Sequence, residues 1–217
     1  RRWIKVGAQL SLLSIVVVAG NRLDVLIVGA LLGTADVGPY YAAVRMAGFA
    51  WFAQQAANVV LAPMIAERFD AHDMSALQAV AVRAARFGFG GALAVSTIFS
   101  LIGPWVLGLF GPGFDAAYVP LLVLLWGFSV TSALGEVGFM LSMTKYQRQA
   151  AVFVAVGIAV NCVAAVLLVP RLGATGAAIG AVLSLLVWRG LAWRHVRTHL
   201  GIDPSVLGRT TAVSVAP

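Results

Sequence analysis

The sequence predicts an all-α fold, a polytopic membrane bundle of six transmembrane helices. Of its 217 residues, 61% are hydrophobic and only 11% are charged, whereas a soluble domain has about 25% charged residues. The mean hydropathy is +0.94, so lipid must cover much of the surface. Six apolar runs each reach the ~20 residues that a spanning helix needs. Helices are expected because each satisfies its own backbone polar groups in lipid.

Turn residues divide the chain into these spans. The segment 33–39 separates the first two, and Pro39 suits the first turn of a helix. Glycine and proline at 111–113 end the third span, and the segment 170–173 separates the last two. The predicted spans cover residues 8–32, 39–65, 87–110, 118–143, 150–169 and 174–193.

Two local patterns refine these elements. Ser75 with Gln78 three residues later predicts a capping box, so the third helix should begin before its apolar run. Gly176 and Gly180 are four residues apart, a spacing that lets helices pack closely. We expect one lobe over residues 1–200 and a flexible tail over 201–217.

The basic residues predict an orientation. The formal charge is +7, but the Lys and Arg residues lie between apolar runs rather than on one polar face. This distribution argues against nucleic-acid binding and for the positive-inside rule. Arg171 stands on one side, and ten basic residues fall on the other. Both ends are therefore expected to be cytoplasmic. The ten are Arg1, Arg2, Lys5, Arg68, Arg83, Arg86, Lys145, Arg148, Arg194 and Arg197.

Sequence motifs for chemistry are missing. Cys162 is the only cysteine, so the chain can form no internal disulfide, and no Cys/His spacing suits a metal. The sequence contains no Walker A loop, GxSxG or HExxH motif. We therefore expect no catalytic residues, no metal site and no cofactor, and we do not expect an enzyme.

Four ionisable side chains stand out at mid-depth in predicted spans: Arg22, Asp24, Arg45 and Glu136. A charge in hydrocarbon costs about 3 kcal/mol or more, so such groups normally face a bundle interior or a wet cavity. The sequence therefore predicts a polar pathway through the bundle rather than an inert anchor.

The first span offers a candidate ion site. Asn21 and Asp24 are three residues apart and share a helix face. Arg22 lies about 200° around the helix from Asp24, so the two charges cannot pair well within one helix. A cation or proton site at Asn21 and Asp24 and an interhelical salt bridge both remain open.

Polar residues of later spans are candidates for a cavity lining. Gln54 and Asn58 share a face of the second span, and Arg45 lies opposite, where it either lines the cavity or reaches the headgroups. The remaining candidates belong to the fourth and fifth spans. They are Ser129, Ser132 and Glu136, which form one stripe at helical spacing, and Asn161.

In its Gly/Pro patterns the chain resembles the polysaccharide flippases of the multidrug/oligosaccharidyl-lipid/polysaccharide exporter superfamily, whose fold is MATE-like. The likeness covers roughly residues 8–195 and lies in the order and spacing of loose Gly/Pro patterns. Those patterns are Gly20-Asn21-Arg22-Leu23-Asp24, Gly38-Pro39-Tyr40-Tyr41, Ala62-Pro63, Leu109-Phe110-Gly111-Pro112-Gly113-Phe114 and Val169-Pro170-Arg171-Leu172-Gly173-Ala174.

The resemblance implies a C-terminal six-span lobe that works by alternating access with a second six-span lobe. It implies an undecaprenyl-pyrophosphate-linked glycan as cargo, with Arg22 and Arg45 meeting the pyrophosphate, in a bacterial cytoplasmic membrane. Relatives with a cation site in this lobe imply Na⁺ or H⁺ coupling through Asp24 and Asn161. Ala165 departs from that pattern, because an acid there would complete it.

The sequence thus favours a lipid-linked oligosaccharide flippase whose partners are the glycan, membrane lipids and a second lobe. A multidrug/cation antiporter of the same fold is the first alternative. A membrane-embedded glycan-modifying enzyme and a non-transporting membrane scaffold are the others. Two arginines balance the two acids inside the spans, which favours an anionic headgroup as cargo over a cation.

Overall fold

The computed structural model describes residues 23–71, 73–142, 144 and 146–208; the side chains at 23, 53, 54, 56–62, 65, 66, 69 and 70 lie outside that description. This part of the chain is helical and contains no strand, so the predicted all-α fold is confirmed. The helices are α1 (Leu23–Leu32), α2 (Thr34–Asp70), α3 (Met74–Gly108), α4 (Tyr118–Ser132), α5 (Val137–Ser142), α6 (Gln147–Leu172) and α7 (Ala174–His199), with a 3-10 turn at Phe114–Ala117 before α4.

Within the described residues, four helical segments are long and apolar enough to cross a membrane. They are α3, the segment Phe114–Ser132, α6 and α7. Large apolar side chains point outward from them, as lipid contact requires: Leu101 is 77% exposed and Trp105 is 71% exposed. The described part therefore contains four candidate membrane-spanning helices, whereas the number six stays a prediction. The first predicted span lies mostly outside the described residues, and α2 is not among the four.

Two apolar clusters hold the bundle together. The larger one joins α1, α2, α3, α4, α6 and α7 around Tyr40 and Leu121, which are fully buried. The smaller one joins the beginning of α3, α5 and the end of α7 around Leu77 and Leu141. We call the end of the bundle that contains the smaller cluster the basic end. Its arginines are Arg68, Arg83, Arg86, Arg148, Arg194 and Arg197.

Single glycines make the turns at the opposite end. Gly33, at φ 96°, is the only residue between α1 and α2, and Gly173, at φ 60°, is the only one between α6 and α7. A positive φ is accessible to glycine without steric cost, so one residue suffices. The predicted loop over 33–39 is therefore wrong: α2 begins at Thr34 and Pro39 lies inside it.

The contact between α6 and α7 is as close as the glycine spacing predicts. A Cβ on Gly176 would stand 2.5 Å from the carbonyl carbon and oxygen of Leu168. A Cβ on Gly180 would stand 3.2 Å from the backbone nitrogen of Ala165. Only glycine allows the two helix backbones to approach this far.

The start of α3 differs from the predicted capping box. Asp73, not Ser75, is the N-cap, and its carboxylate accepts a hydrogen bond from the Ala76 amide at 3.0 Å. That bond and a second from the Ser75 hydroxyl lower the pKa of Asp73. Gln78, expected to complete the box, instead hydrogen-bonds the backbone of Asp203.

The predicted fourth span is broken. The helix ends at Ser132 and a second one begins at Val137, so residues 118–142 form two helices. Gly135 lies in the break at φ 76°. Residues 201–208, which we call the C-terminal strap, pack beside it: Ile202 is only 1% exposed and Ser205 is buried. The first part of the expected flexible tail is therefore packed, and its remainder, 209–217, lies outside the described residues.

Candidate functional site

A cavity of about 270 Å³ lies at the basic end, between α2, α5, α6 and α7. Its volume is near the lower end for small-ligand sites. The wall is largely apolar and aromatic, with a few polar groups. The lining residues from α2 and the α5 region are Trp51, Gln55, Glu136, Gly138, Phe139, Leu141 and Ser142; those from α6 and α7 are Ala150, Val154, Trp188, Arg189 and Ala192.

Arg189 is the basic group of this cavity. It is only 7% exposed, and its Nη1 donates to the Thr131 carbonyl oxygen at 3.2 Å. Its guanidinium carbon stands 5.5 Å from the centre of the Trp188 ring, within cation–π range. The carbonyl belongs to the last turn of α4, where helix carbonyls have no α-helical partner, and it also accepts from the Leu134 amide at 3.3 Å. Arg189 therefore ties α7 to the broken end of α4.

Glu136 supplies the opposite charge. It is half-buried, precedes the first residue of α5, and interacts electrostatically with Arg189. Both side chains line the same cavity. A buried charge is tolerated in a membrane bundle when a partner of opposite sign is near. The cavity thus brings together one acid, one guanidinium and the Gln55 amide among aromatic walls.

Sequence reasoning missed Arg189, although the signal was present. Arg189 lies within the predicted sixth span, 174–193. An ionisable residue inside an apolar run is the same feature that selected Arg45 and Glu136. It was included neither among the charges selected inside the spans nor among the ten basic residues that predict the orientation.

Ser132 does not line the cavity. Its Oγ donates to the Ser129 carbonyl oxygen at 2.7 Å, and it is 1% exposed. The Ser129 hydroxyl instead shares a 2.9 Å hydrogen bond with that of Ser96, which itself donates to the Leu125 carbonyl oxygen. The predicted stripe through Glu136 assumed one continuous helix. Because the helix breaks after Ser132, the serines join α3 to α4 while Glu136 faces the cavity.

The proposed ion-coupling residues lie elsewhere in the core. The Tyr40 hydroxyl donates to Asp24 Oδ2 at 2.9 Å, a buried contact between α1 and α2. Asn161 is 7% exposed on α6, and a Cβ on Gly180 would stand 3.2 Å from its Oδ1. Asn21 precedes the described residues. Asp24 is therefore hydrogen-bonded to α2, whereas Asn161 lies at the contact between α6 and α7.

Arg45 lies on the outside of α2, away from the cavity. Its Nε donates to the Tyr41 hydroxyl at 2.7 Å, and its guanidinium carbon stands 4.9 Å from the Tyr41 ring centre. The other predicted binding residues cannot be placed: Arg22 and the side chains of Gln54 and Asn58 lie outside the described part. Of the predicted substrate-binding set, Glu136 is the residue found in the cavity.

Comparison with protein-family models, with curated proteins and with solved structures finds no match to this chain. Among the described residues, no group of three or more His, Cys, Asp or Glu side chains could hold a metal ion. The cavity's own chemistry is therefore the basis for a functional proposal.

Proposed function

We propose that this chain is one lobe of a flippase that moves lipid-linked oligosaccharide or polysaccharide precursors across the bacterial cytoplasmic membrane. The cavity at the basic end would hold the polar head of such a lipid while its tail stays in the bilayer. The lobe would work by alternating access with a second six-span lobe and would catalyse no covalent step.

The observation that carries the proposal is the buried guanidinium of Arg189 in the cavity wall. A guanidinium binds phosphate oxygens through paired N–H groups, and in a low-dielectric setting such charge-assisted hydrogen bonds are strong. In the described structure Arg189 interacts with Glu136. An incoming pyrophosphate would compete with that carboxylate for the same donors, which gives the site an empty and a loaded state.

The rest of the lining suits a sugar next to a phosphate. Ligand sites are mostly apolar and aromatic with a few well-placed polar groups. Here Trp51, Phe139 and Trp188 provide flat apolar faces, while Gln55 and Ser142 provide hydrogen-bonding groups. In this proposal Arg45, exposed on α2, faces the second lobe, and Asp24 with Asn21 and Asn161 holds a coupling cation, Na⁺ or H⁺.

Glu136 favours a second candidate, a multidrug/cation antiporter of the same architecture. A membrane-embedded carboxylate can exchange a proton or Na⁺ for an organic cation, and the aromatic walls would suit such a cargo. The two candidates differ in which charge of the pair is indispensable. The flippase depends on Arg189 and the antiporter on Glu136.

The test is transport by the complete protein, with any second lobe, in vesicles. We expect Arg189→Gln to reduce flipping of a fluorescent undecaprenyl-pyrophosphate-linked oligosaccharide about tenfold or more, since a charge-assisted phosphate contact of about 1.5 kcal/mol or more is lost. Arg171→Gln is the matched control, because Arg171 is exposed at the opposite end and donates to the Leu167 carbonyl oxygen of its own helix.

Rates are compared per amount of monodisperse protein, so that loss of folded material is not read as loss of transport. Normal flipping by Arg189→Gln would refute the flippase proposal. Cation efflux that survives Arg189→Gln and disappears with Glu136→Gln would identify the antiporter instead.

A further inference from the structure

The break between α4 and α5 is not explained by its own residues. The four residues of the break are Ala133, Leu134, Gly135 and Glu136. Alanine, leucine and glutamate are among the strongest helix formers, and the segment has no proline. Gly135 permits a break but does not impose one, since glycine costs a helix only about 1 kcal/mol. Contacts from outside the segment must hold it open.

The C-terminal strap makes those contacts. The Val206 amide donates to the Ala133 carbonyl oxygen at 2.9 Å, which satisfies an acceptor that a continuous helix would satisfy internally. The Pro204 carbonyl oxygen occupies the space beside Gly135, where a Cβ would be 2.1 Å away. The strap therefore fills the position that a side chain or a continuing helix would need.

Two residues of α3 hold the strap in place. Gln78, only 3% exposed, donates to the Asp203 carbonyl oxygen at 2.8 Å and accepts from the Asp203 amide at 2.7 Å. Arg86 donates from Nε to the Val206 carbonyl oxygen at 3.2 Å. The Gln78 side chain thus bonds to the strap backbone as a neighbouring β-strand would, although Gln78 and Asp203 are 125 residues apart in the sequence.

We infer that residues 201–208 are a positioning element that keeps α4 and α5 apart and thereby places Glu136 beside Arg189. When the strap is released, residues 118–142 become one continuous helix. The amides of 136–139 then bond to the carbonyls of 132–135, and Glu136 turns away from Arg189. The inference rests on these contacts alone and does not require that the chain transports a lipid-linked glycan.

Continuous helix formation has a measurable signature. In the broken form, the first-turn amides of α5 have no helical partner within the described chain. In the continuous form each of them is bonded. Release of the strap should therefore slow hydrogen exchange at 136–139, whereas simple loosening of the region would speed it. The direction of the change in exchange rate therefore distinguishes formation of a continuous helix from loosening of the region.

The experiment is hydrogen exchange by mass spectrometry on the full chain in lipid nanodiscs. Gln78→Leu removes both bonds to Asp203 and keeps a side chain of similar size. Gly135→Ala blocks the positive φ and the close approach of Pro204 and leaves Gln78 intact. Both are expected to slow exchange at 136–139 about tenfold. Gln149→Leu, on α6 and away from the strap, is the matched control and should change nothing.

A thermal scan of each variant shows that it is folded before exchange is compared. Slower exchange at 136–139 in both variants would support the strap's role. Unchanged or faster exchange in folded Gln78→Leu and Gly135→Ala would overturn it. Because the readout is conformational, a negative result here leaves the transport proposal untouched, and a failed transport assay leaves this inference untouched.

Discussion

The α6–α7 hairpin and the α4–α5 segment are built from similar apolar sequence but are stabilised differently. In the hairpin, the turn at Gly173 and the close contact at Gly176 both lie within a few residues of the helices they shape. In the α4–α5 segment, the break is held by the strap, whose residues follow it by about seventy positions. Local sequence is enough to specify the first region and not the second.

The two regions differ because the hairpin depends on the absence of a side chain, whereas the broken helix depends on hydrogen-bond partners. A glycine in a helix interface removes a steric barrier, and that effect is the same in any chain with the same spacing. A broken helix leaves carbonyl groups that something must satisfy. In the α4–α5 segment, the amides of residues 133–135 bond to carbonyls of the last turn of α4. The Arg189 side chain and the Val206 amide add bonds that only the tertiary fold supplies.

The largest expected effect tests the local region. Gly176→Ala would place a methyl group 2.5 Å from the backbone of Leu168. Forcing the helices apart should lower the free energy of unfolding by about 3 kcal/mol. Gly190→Ala is the control on the same helix, because a Cβ there meets nothing within 4 Å. The measurement is the thermal midpoint in detergent; equal midpoints for the two variants would contradict the close contact.

An effect of similar size tests the long-range region through its buried apolar residue. Ile202 of the strap is 1% exposed among α3, α5 and α7. Ile202→Ala should cost about 3 kcal/mol, as buried large-to-small substitutions do. Leu207→Ala, also in the strap but at a side chain that is 89% exposed, should cost almost nothing. A similar shift of the thermal midpoint in both variants would mean that the strap is not seated as described.

A smaller effect is expected from the charge pair. Arg189→Met leaves Glu136 without the guanidinium and removes one of the two donors to the Thr131 carbonyl oxygen, so we expect a loss of about 2 kcal/mol. Arg189→Met combined with Glu136→Met should recover part of that loss, because no uncompensated charge remains. Additive losses in the thermal midpoint would show that the two side chains act independently.

The smallest effect is a pH dependence of the strap. Burial opposes ionisation of Asp203, but hydrogen bonds from Ser205 and the Trp193 indole, with the charge of Arg197, outweigh it, so its pKa is lowered. A lowered folded-state pKa contributes stability above the unfolded value of about 3.9, and that contribution disappears as the pH falls through the folded value.

The stability difference between the wild-type protein and Asp203→Asn should therefore be constant near pH 6 and shrink below about pH 4. Thermal midpoints measured across that range check it. A difference that is the same at pH 3 and pH 6 would show that the carboxylate charge contributes nothing to the strap.

Helix positions were the part of the fold most accessible from the sequence, because apolar run length and turn glycines are local signals. The all-α class, the close α6–α7 contact and the end of α3 near Gly111 all followed from them. The start of α2 did not follow from these signals. One glycine with positive φ makes the turn, whereas the composition of 33–39 suggested a seven-residue loop.

The candidate site was accessible only in part. Glu136 was recognised as a charge in an apolar run, but its assignment to a serine stripe assumed a helix that the strap interrupts. Arg189 carried the same signal but was selected neither as a charge inside a span nor as one of the ten basic residues that predict the orientation. The pairing of these two residues depends on the path of 201–208, and no periodicity of the fourth span contains that information.

The single-glycine turns at Gly33 and Gly173 have a mechanical consequence. With no spare residues in either connection, α1 cannot slide along α2, and α6 cannot slide along α7. The two helices of each pair can change their relative position only by rotating about the glycine turn that joins them. Displacement then grows with distance from the glycine turns, so that any opening motion of this lobe is greatest where the cavity lies.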